Sequence, residues 1–179
     1  MLLGKRTLSA TARSVMNYDT NFKSVKDQVS PEEWQARVEL AACYRLVDKF
    51  GMSDMIYNHI TARVPGGEEH VLINLYGLLY KEITASSLAK IDLDGNVIAK
   101  PDTDYGINVS GYVIHGCIHR ARADVKCVMH THTRAGMAVA AMKEGLQPVS
   151  MGSTAFTNRL SYHDYEGPSL DLDERGRLL

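Results

Sequence analysis

The chain has 179 residues, 45% of them hydrophobic and 23% charged, enough for one ordinary domain that buries roughly 70% of its unfolded surface without staples. A formal charge of −1 supplies no basic field for nucleic acid or an anionic membrane, which sets both aside as partners. No apolar run approaches the about 20 residues that span a bilayer, and the three cysteines (Cys43, Cys117, Cys127) sit in apolar segments as small buried hydrophobes, so a soluble protein of the reducing cytoplasm is expected.

The leader MLLGKRTLSATARSVM carries Lys5, Arg6 and Arg13 with no acid before Asp19. It lacks the continuous apolar stretch of a secretory signal and faintly resembles an organellar transit peptide. Residues 1–29 are read as an N-terminal arm that wraps a neighbouring subunit or stays disordered. A single domain is expected over residues 30–179. It opens on SPEEWQARVELAACYRLVDKFGM, a helix in which Ser30 caps, Pro31 suits the first turn, Glu33 completes a capping box and Gly51 stops the run. Trp34, Val38, Ala41, Ala42, Leu46 and Phe50, at steps of three or four, predict its buried stripe.

Extended segments follow: IYNHITARV, EHVLIN, KIDLDG and NVIAK, broken by Pro65-Gly66-Gly67, by Gly77 and by Asp94-Gly95-Asn96. They predict a mainly antiparallel sheet. Asp102 and Asp104 in PDTDYG read as turn formers. Ser110 is expected to cap a helix GYVIHGCIHRAR, followed by a buried strand VKCVMH and a helix from near Arg134 through AGMAVAAM. SYHDYEGPSLDLDERGRLL ends in what reads as the opening of another helix. The order predicts an α/β fold, a three-layer α/β/α sandwich with a central mainly antiparallel sheet.

In VMHTHTRAG a strand would put His130 and His132 on one face, because side chains alternate with a period of two. Neutral imidazoles suit zinc and similar ions, but a catalytic zinc takes three protein ligands, so this pair is an incomplete site or a pair of hydrogen-bonded histidines. His115 and His119 share a helical face at i, i+4, a chelating spacing, though Gly116 stands where the acid of an HExxH motif would be. His115 is expected to pack against the strand behind the site. His163, in YHDY, is placed to approach a site from elsewhere. His59 and His70 carry no motif and read as structural or solvent-facing.

YNHITARV, LINLYGLLYKEITASSLAKIDLDG, ARADVKCVMHTHT and YHDYEG together resemble the class II aldolase/adducin family, over about Glu33 to Arg177, with several stretches nearer to adducin head domains than to sugar-phosphate aldolases. The resemblance implies a class II aldolase-like α/β/α sandwich. It also implies a homo-oligomer, tetramer-like, with sites at subunit interfaces, and a divalent cofactor ion, zinc by type, held by histidines that include His130 and His132. In the aldolases the ion polarises the carbonyl of an enediolate while an acid moves the proton, in line with how a cation stabilises oxyanion charge. Asn58 matches the asparagine of the loop that grips substrate phosphate, with Tyr57 in place of its glycine, and Ser110 matches a serine before the acid. The acid itself falls at Gly111, which transfers no proton. Tyr80, Glu82 and Tyr112 remain as candidates. A further metal histidine is expected downstream in a His-Gly segment, past Leu179, so the domain is expected to be C-terminally short.

Two functions follow from the resemblance. One is a metal-dependent lyase acting on a small hydroxy-carbonyl or carboxylate compound through a metal-stabilised enolate. The other is a non-catalytic, adducin-like oligomerising or actin-binding scaffold.

Overall fold

The structure, a computed structural model, describes residues 17–167 and 172–179. The leader read at residues 1–16 lies outside the described residues. Among them no helix is long and apolar enough to cross a membrane.

The first helix, α1, spans Pro31–Lys49 and starts as the sequence predicts: Ser30 Oγ accepts from Glu33 N at 3.1 Å, Pro31 occupies the first turn, and Gly51 follows with φ +65. The side chain of Glu33, however, does not turn back to close a capping box. It pairs inward with Arg37 at 2.8 Å and Lys90 at 2.9 Å, while Arg37 Nη1 donates to the Leu88 carbonyl at 2.9 Å. This network turns the helix. The buried face is Glu33, Arg37, Leu40, Ala41, Tyr44 and Val47, and the expected stripe is wrong by about one residue's rotation, leaving Leu46 51% and Phe50 68% exposed. A helix with apolar residues on two adjoining faces is turned by whichever face satisfies its polar members, and here Glu33 and Arg37 satisfy each other.

Four short strands follow, β1 (Ile60–Arg63), β2 (His70–Ile73), β3 (Ala89–Asp92) and β4 (Val97–Ala99). A fifth, β5 (Cys127–Met129), comes after the helix α2 (Val109–Ala121). The sheet order is β4-β3-β2-β1-β5 with every described pair antiparallel, so the expected α/β fold with a mainly antiparallel sheet is borne out. Alternation along β1 points Thr61 at α2 on one face and Ala62 at α1 on the other, which sets helices on both faces. The core joins α1 to β1, β2 and β3 through Leu40, Tyr44, Ile60, Leu72, Ile73 and Ile91.

Three local expectations are corrected. Asn108, not Ser110, caps α2: its Oδ1 accepts from Ser110 N at 3.1 Å and from Ser110 Oγ at 2.7 Å. The strand β5 is not buried, for Cys127 and Met129 are exposed, because among the described residues no strand pairs with its outer edge. Of the cysteines, only Cys117 is buried; Cys43 is half-buried. Beyond β5, α3 (Arg134–Ala140) starts where expected, capped by Thr133, and a one-turn helix, α4 (Met151–Thr154), follows. The last segment makes a 3₁₀ turn at Leu172–Gly176 against α2, with Arg175 Nη2 donating to the Leu93 carbonyl at 3.1 Å.

Burial pushes the Glu33 carboxyl up, but the hydrogen bonds from Lys90 and Arg37 outweigh it and hold the group below the usual carboxylate range. Removing one partner from a buried ion pair strands the other, at about 3–5 kcal/mol. Glu33→Ala is therefore expected to lower the urea midpoint strongly, and an unchanged midpoint would show that α1 does not depend on this network.

Candidate metal centre

The ladder between β1 and β5 continues one step past Met129: His130 N donates to the His59 carbonyl at 3.1 Å, and His132 N donates to the Met52 carbonyl at 3.2 Å. These two bonds hold the His-x-His segment against β1 and the loop before it. His130 and His132 thus share one side, as the spacing predicts, with ring centroids 4.7 Å apart and their Nε2 atoms facing each other at 3.1 Å.

Asp54 stands behind the pair, its Oδ2 3.1 Å from His132 Nδ1. In the neutral pair His132 donates Nδ1–H to Asp54, which leaves its Nε2 as acceptor and makes His130 Nε2–H the donor between the rings. Two imidazole nitrogens on one tetrahedral ion at about 2.0–2.1 Å stand about 3.4 Å apart, close to the separation here. The pair therefore fits an ion, and a carboxylate on the far nitrogen of a ligating histidine is the support such sites use. The fit is partial. Among the described residues no group of three or more His, Cys, Asp or Glu side chains is arranged to hold an ion.

Around this pair lies a buried polar cluster. His59, expected to be structural or solvent-facing, is 1% exposed, and its ring centroid lies 5.0 Å from that of His130 and 4.3 Å from that of His115. Burial, then the nearby His130 and His132, push its pKa down to about 3. His115 and His119 do share a helical face, but they turn it on β1, where both bond one hydroxyl: Thr61 Oγ1 lies 2.9 Å from His115 Nδ1 and 2.9 Å from His119 Nε2. A hydroxyl has one proton, so it donates to one ring and accepts from the other, which seats α2 on β1 with both imidazoles neutral. Burial holds His115 well below the ordinary histidine range and His119 at about 4. His130 is also lowered, by burial and by His132.

The remaining candidates stand as follows. Asn58 is fully buried, its Oδ1 accepting from Asp54 N and its Nδ2 unpartnered. Ser110 is tied to Asn108. Tyr80 lies in the core, edge-on to Tyr44 with centroids 4.6 Å apart. Glu82 accepts from Leu79 N at 2.7 Å within its own turn. Tyr112 lies over Gly95. His163 faces Glu166 at 3.6 Å and His70 faces Glu68 at 3.0 Å. Asp104 and Asp102 tie down Asn17, as turn residues would. Gly111 sits in the first turn of α2 against His59 and Ile73.

Residues 38–176 match the family profile of the Class II Aldolase and Adducin N-terminal domain. The chain belongs to that family. It is 56% identical to an aldolase II superfamily protein from Pseudomonas syringae whose crystal structure superposes with a TM-score of 0.83, covering 87% of this chain and 62% of that one. An L-fuculose 1-phosphate aldolase from Glaciozyma antarctica is 27% identical with a TM-score of 0.67, covering 77% of this chain and 54% of that one. Alpha-adducin from Rattus norvegicus is 49% identical over 139 residues, 78% of this chain and 19% of the adducin. The chain spans 60% of a Caulobacter vibrioides relative at 55% identity and 58% of a Pseudomonas aeruginosa relative at 53%, both grouped with the class 2 aldolases.

In the metal-free chain, the lowered pKa values of His115 and His119 set the sign of the pH response. The unfolded chain takes up protons at these positions as pH falls through about 6.5, while the folded chain does not until far lower, so stability drops with acidification. Urea midpoints should fall steadily from pH 7 to pH 4.5. Thr61→Val, which strands both ring nitrogens, should cost about 2–3 kcal/mol at pH 7; a midpoint unchanged by it would show that the hydroxyl does not seat α2.

Proposed function

We propose that this chain carries the metal-holding part of a class II aldolase-type site, in a lyase-type domain acting on a small hydroxy-carbonyl or carboxylate compound. The observation that carries it is the facing pair of Nε2 atoms 3.1 Å apart, backed by Asp54 on His132. A bound divalent cation, zinc being well suited to imidazole ligands, supplies electrophilic stabilisation of the oxyanion that develops beside a carbon losing a proton or a carbon–carbon bond.

The chain's own residues prepare for this. Asp54 keeps the His132 Nε2 lone pair turned toward His130. To ligate through Nε2, His130 would carry its proton on Nδ1 instead, a tautomer change within the neutral ring for which the unpartnered Nδ1 leaves room. Asn58 Nδ2, buried beside the same loop without a partner, is the donor left for a substrate oxygen; Ser110, at the opening of α2, is proposed as a second. Position 111 is glycine and moves no proton. Among Tyr80, Glu82 and Tyr112, Tyr112 is half-buried on α2 one residue from that position, which favours it over the core-bound Tyr80 and the turn-bound Glu82. Oligomerisation that brings further ligands to the pair is part of the proposal, supported by its two-ligand character. The likeness to L-fuculose 1-phosphate aldolase supports the reaction type. The likeness to alpha-adducin, together with Gly111, supports a scaffold reading in which the same fold serves an actin-binding assembly in a cytoplasmic setting.

Metal analysis separates the two. The purified chain is expected to hold near one divalent ion per subunit, lost in the double variant His130→Ala/His132→Ala, and Asp54→Asn is expected to weaken binding about 10–100-fold. Retention of metal by the double variant, or no uptake by the native chain from excess zinc or cobalt, overturns the lyase reading and favours the scaffold.

A further inference from the structure

Positions 59 and 111 fill one space. A Cβ added to Gly111 would come 2.9 Å from Ile73 Cδ1, 3.0 Å from His59 Cδ2 and 3.2 Å from His59 Cγ. The backbone does not ask for glycine there, since Gly111 is absent from the residues with positive φ and continues an ordinary helix. What asks for it is the imidazole of His59 together with Ile73 Cδ1, which take up the volume a side chain at 111 would need.

That imidazole is held at a cost. It is boxed in by Gly111, Ile73, His115 and His130, with neither Nδ1 nor Nε2 hydrogen-bonded. An unsatisfied buried polar group costs about 1–3 kcal/mol, which an apolar side chain of similar size would avoid. Buried polar atoms without partners call for a functional explanation. The contacts supply one. His59 and His130 meet edge to face, with an interplanar angle of 67°, and the His59 carbonyl also receives the His130 backbone N–H. Ring and backbone together hold His130 against His59, and in the plane it adopts its Nε2 faces that of His132 at 3.1 Å.

We propose that His59 is a positioning residue: wedged into the space left by Gly111, its ring sets the plane of the His130 imidazole and so aims His130 Nε2 at the ion site. This rests on the reading of His130 and His132 as metal ligands, but its central claim concerns the ring plane and is measurable without metal.

The test uses the full chain, native and His59→Leu, with cobalt(II) as probe. His59→Leu is expected to weaken cobalt binding about 10–100-fold and to shift the visible absorption of the bound ion, while the melting temperature stays level or rises because the unpaired nitrogens are gone. Gly111→Ala, which presses on the same ring and on Ile73 Cδ1, is expected to disturb the cobalt spectrum in the same direction. A folded His59→Leu chain with native cobalt affinity and spectrum overturns the proposal and leaves the metal reading standing. If the native chain takes up no cobalt, the metal reading fails by itself. The ¹⁵N imidazole signals of His130 in the metal-free chain then decide: a changed tautomer pattern in His59→Leu upholds the positioning role, and an unchanged one overturns it.

Discussion

A single backbone hydrogen bond carries the architecture of the site. By donating to the His59 carbonyl, His130 N extends the β1–β5 ladder one step beyond the last strand residue, at 3.1 Å. Because side chains on paired strands stand opposite each other, that bond brings two imidazoles far apart in sequence into ring contact. His132 follows two residues later on the same side, and its own bond to the Met52 carbonyl draws in the loop that holds Asp54 and Asn58. Without this step the ladder would end at Met129, and the segment would be held only by the His132 N bond to Met52 and by Asp54 on the His132 ring.

The polar cluster then has to be stabilised from its other side, and α2 does this. Thr61 is one hydroxyl shared by two histidines, so the helix is docked by a bridged pair of rings rather than by apolar packing alone. The arrangement demands neutral imidazoles, and burial enforces that neutrality. The inner histidines therefore serve as a polar floor, while the two outer ones are half-buried and face each other. The two layers meet at His59, whose ring lies against His115 on one side and His130 on the other.

Much of this was legible in the sequence, for reasons that differ from element to element. The four meander strands and the caps of α1 were readable because local alternation and turn chemistry decide them. The His-x-His pair was readable because a period of two is enough to place both rings together. The rotation of α1 was not, since a partner as distant as Lys90 settles whether Glu33 can be buried. The roles of Asp54 and His59 were equally hidden: Asp54 lies 78 residues from His132, and no spacing rule links residues across strands whose register is unknown. The exposure of β5 depends on what lies along its outer edge, which its own residues do not encode.

The contact between positions 59 and 111 bears on a fold shared by chains as different as an L-fuculose 1-phosphate aldolase and alpha-adducin. A side chain at 111 and the imidazole at 59 compete for one space, since a Cβ there would meet Ile73 Cδ1 at 2.9 Å and the ring at 3.0 Å, and these neighbours would have to give. Gly111→Glu would press on both Ile73 and the His59 ring, and through that ring on His130. Glycine at this position supplies no carboxylate at the helix start, beside a facing pair of His130 and His132. The geometry of the facing imidazoles and the identity of the residue at 111 are thus coupled through one ring, that of His59.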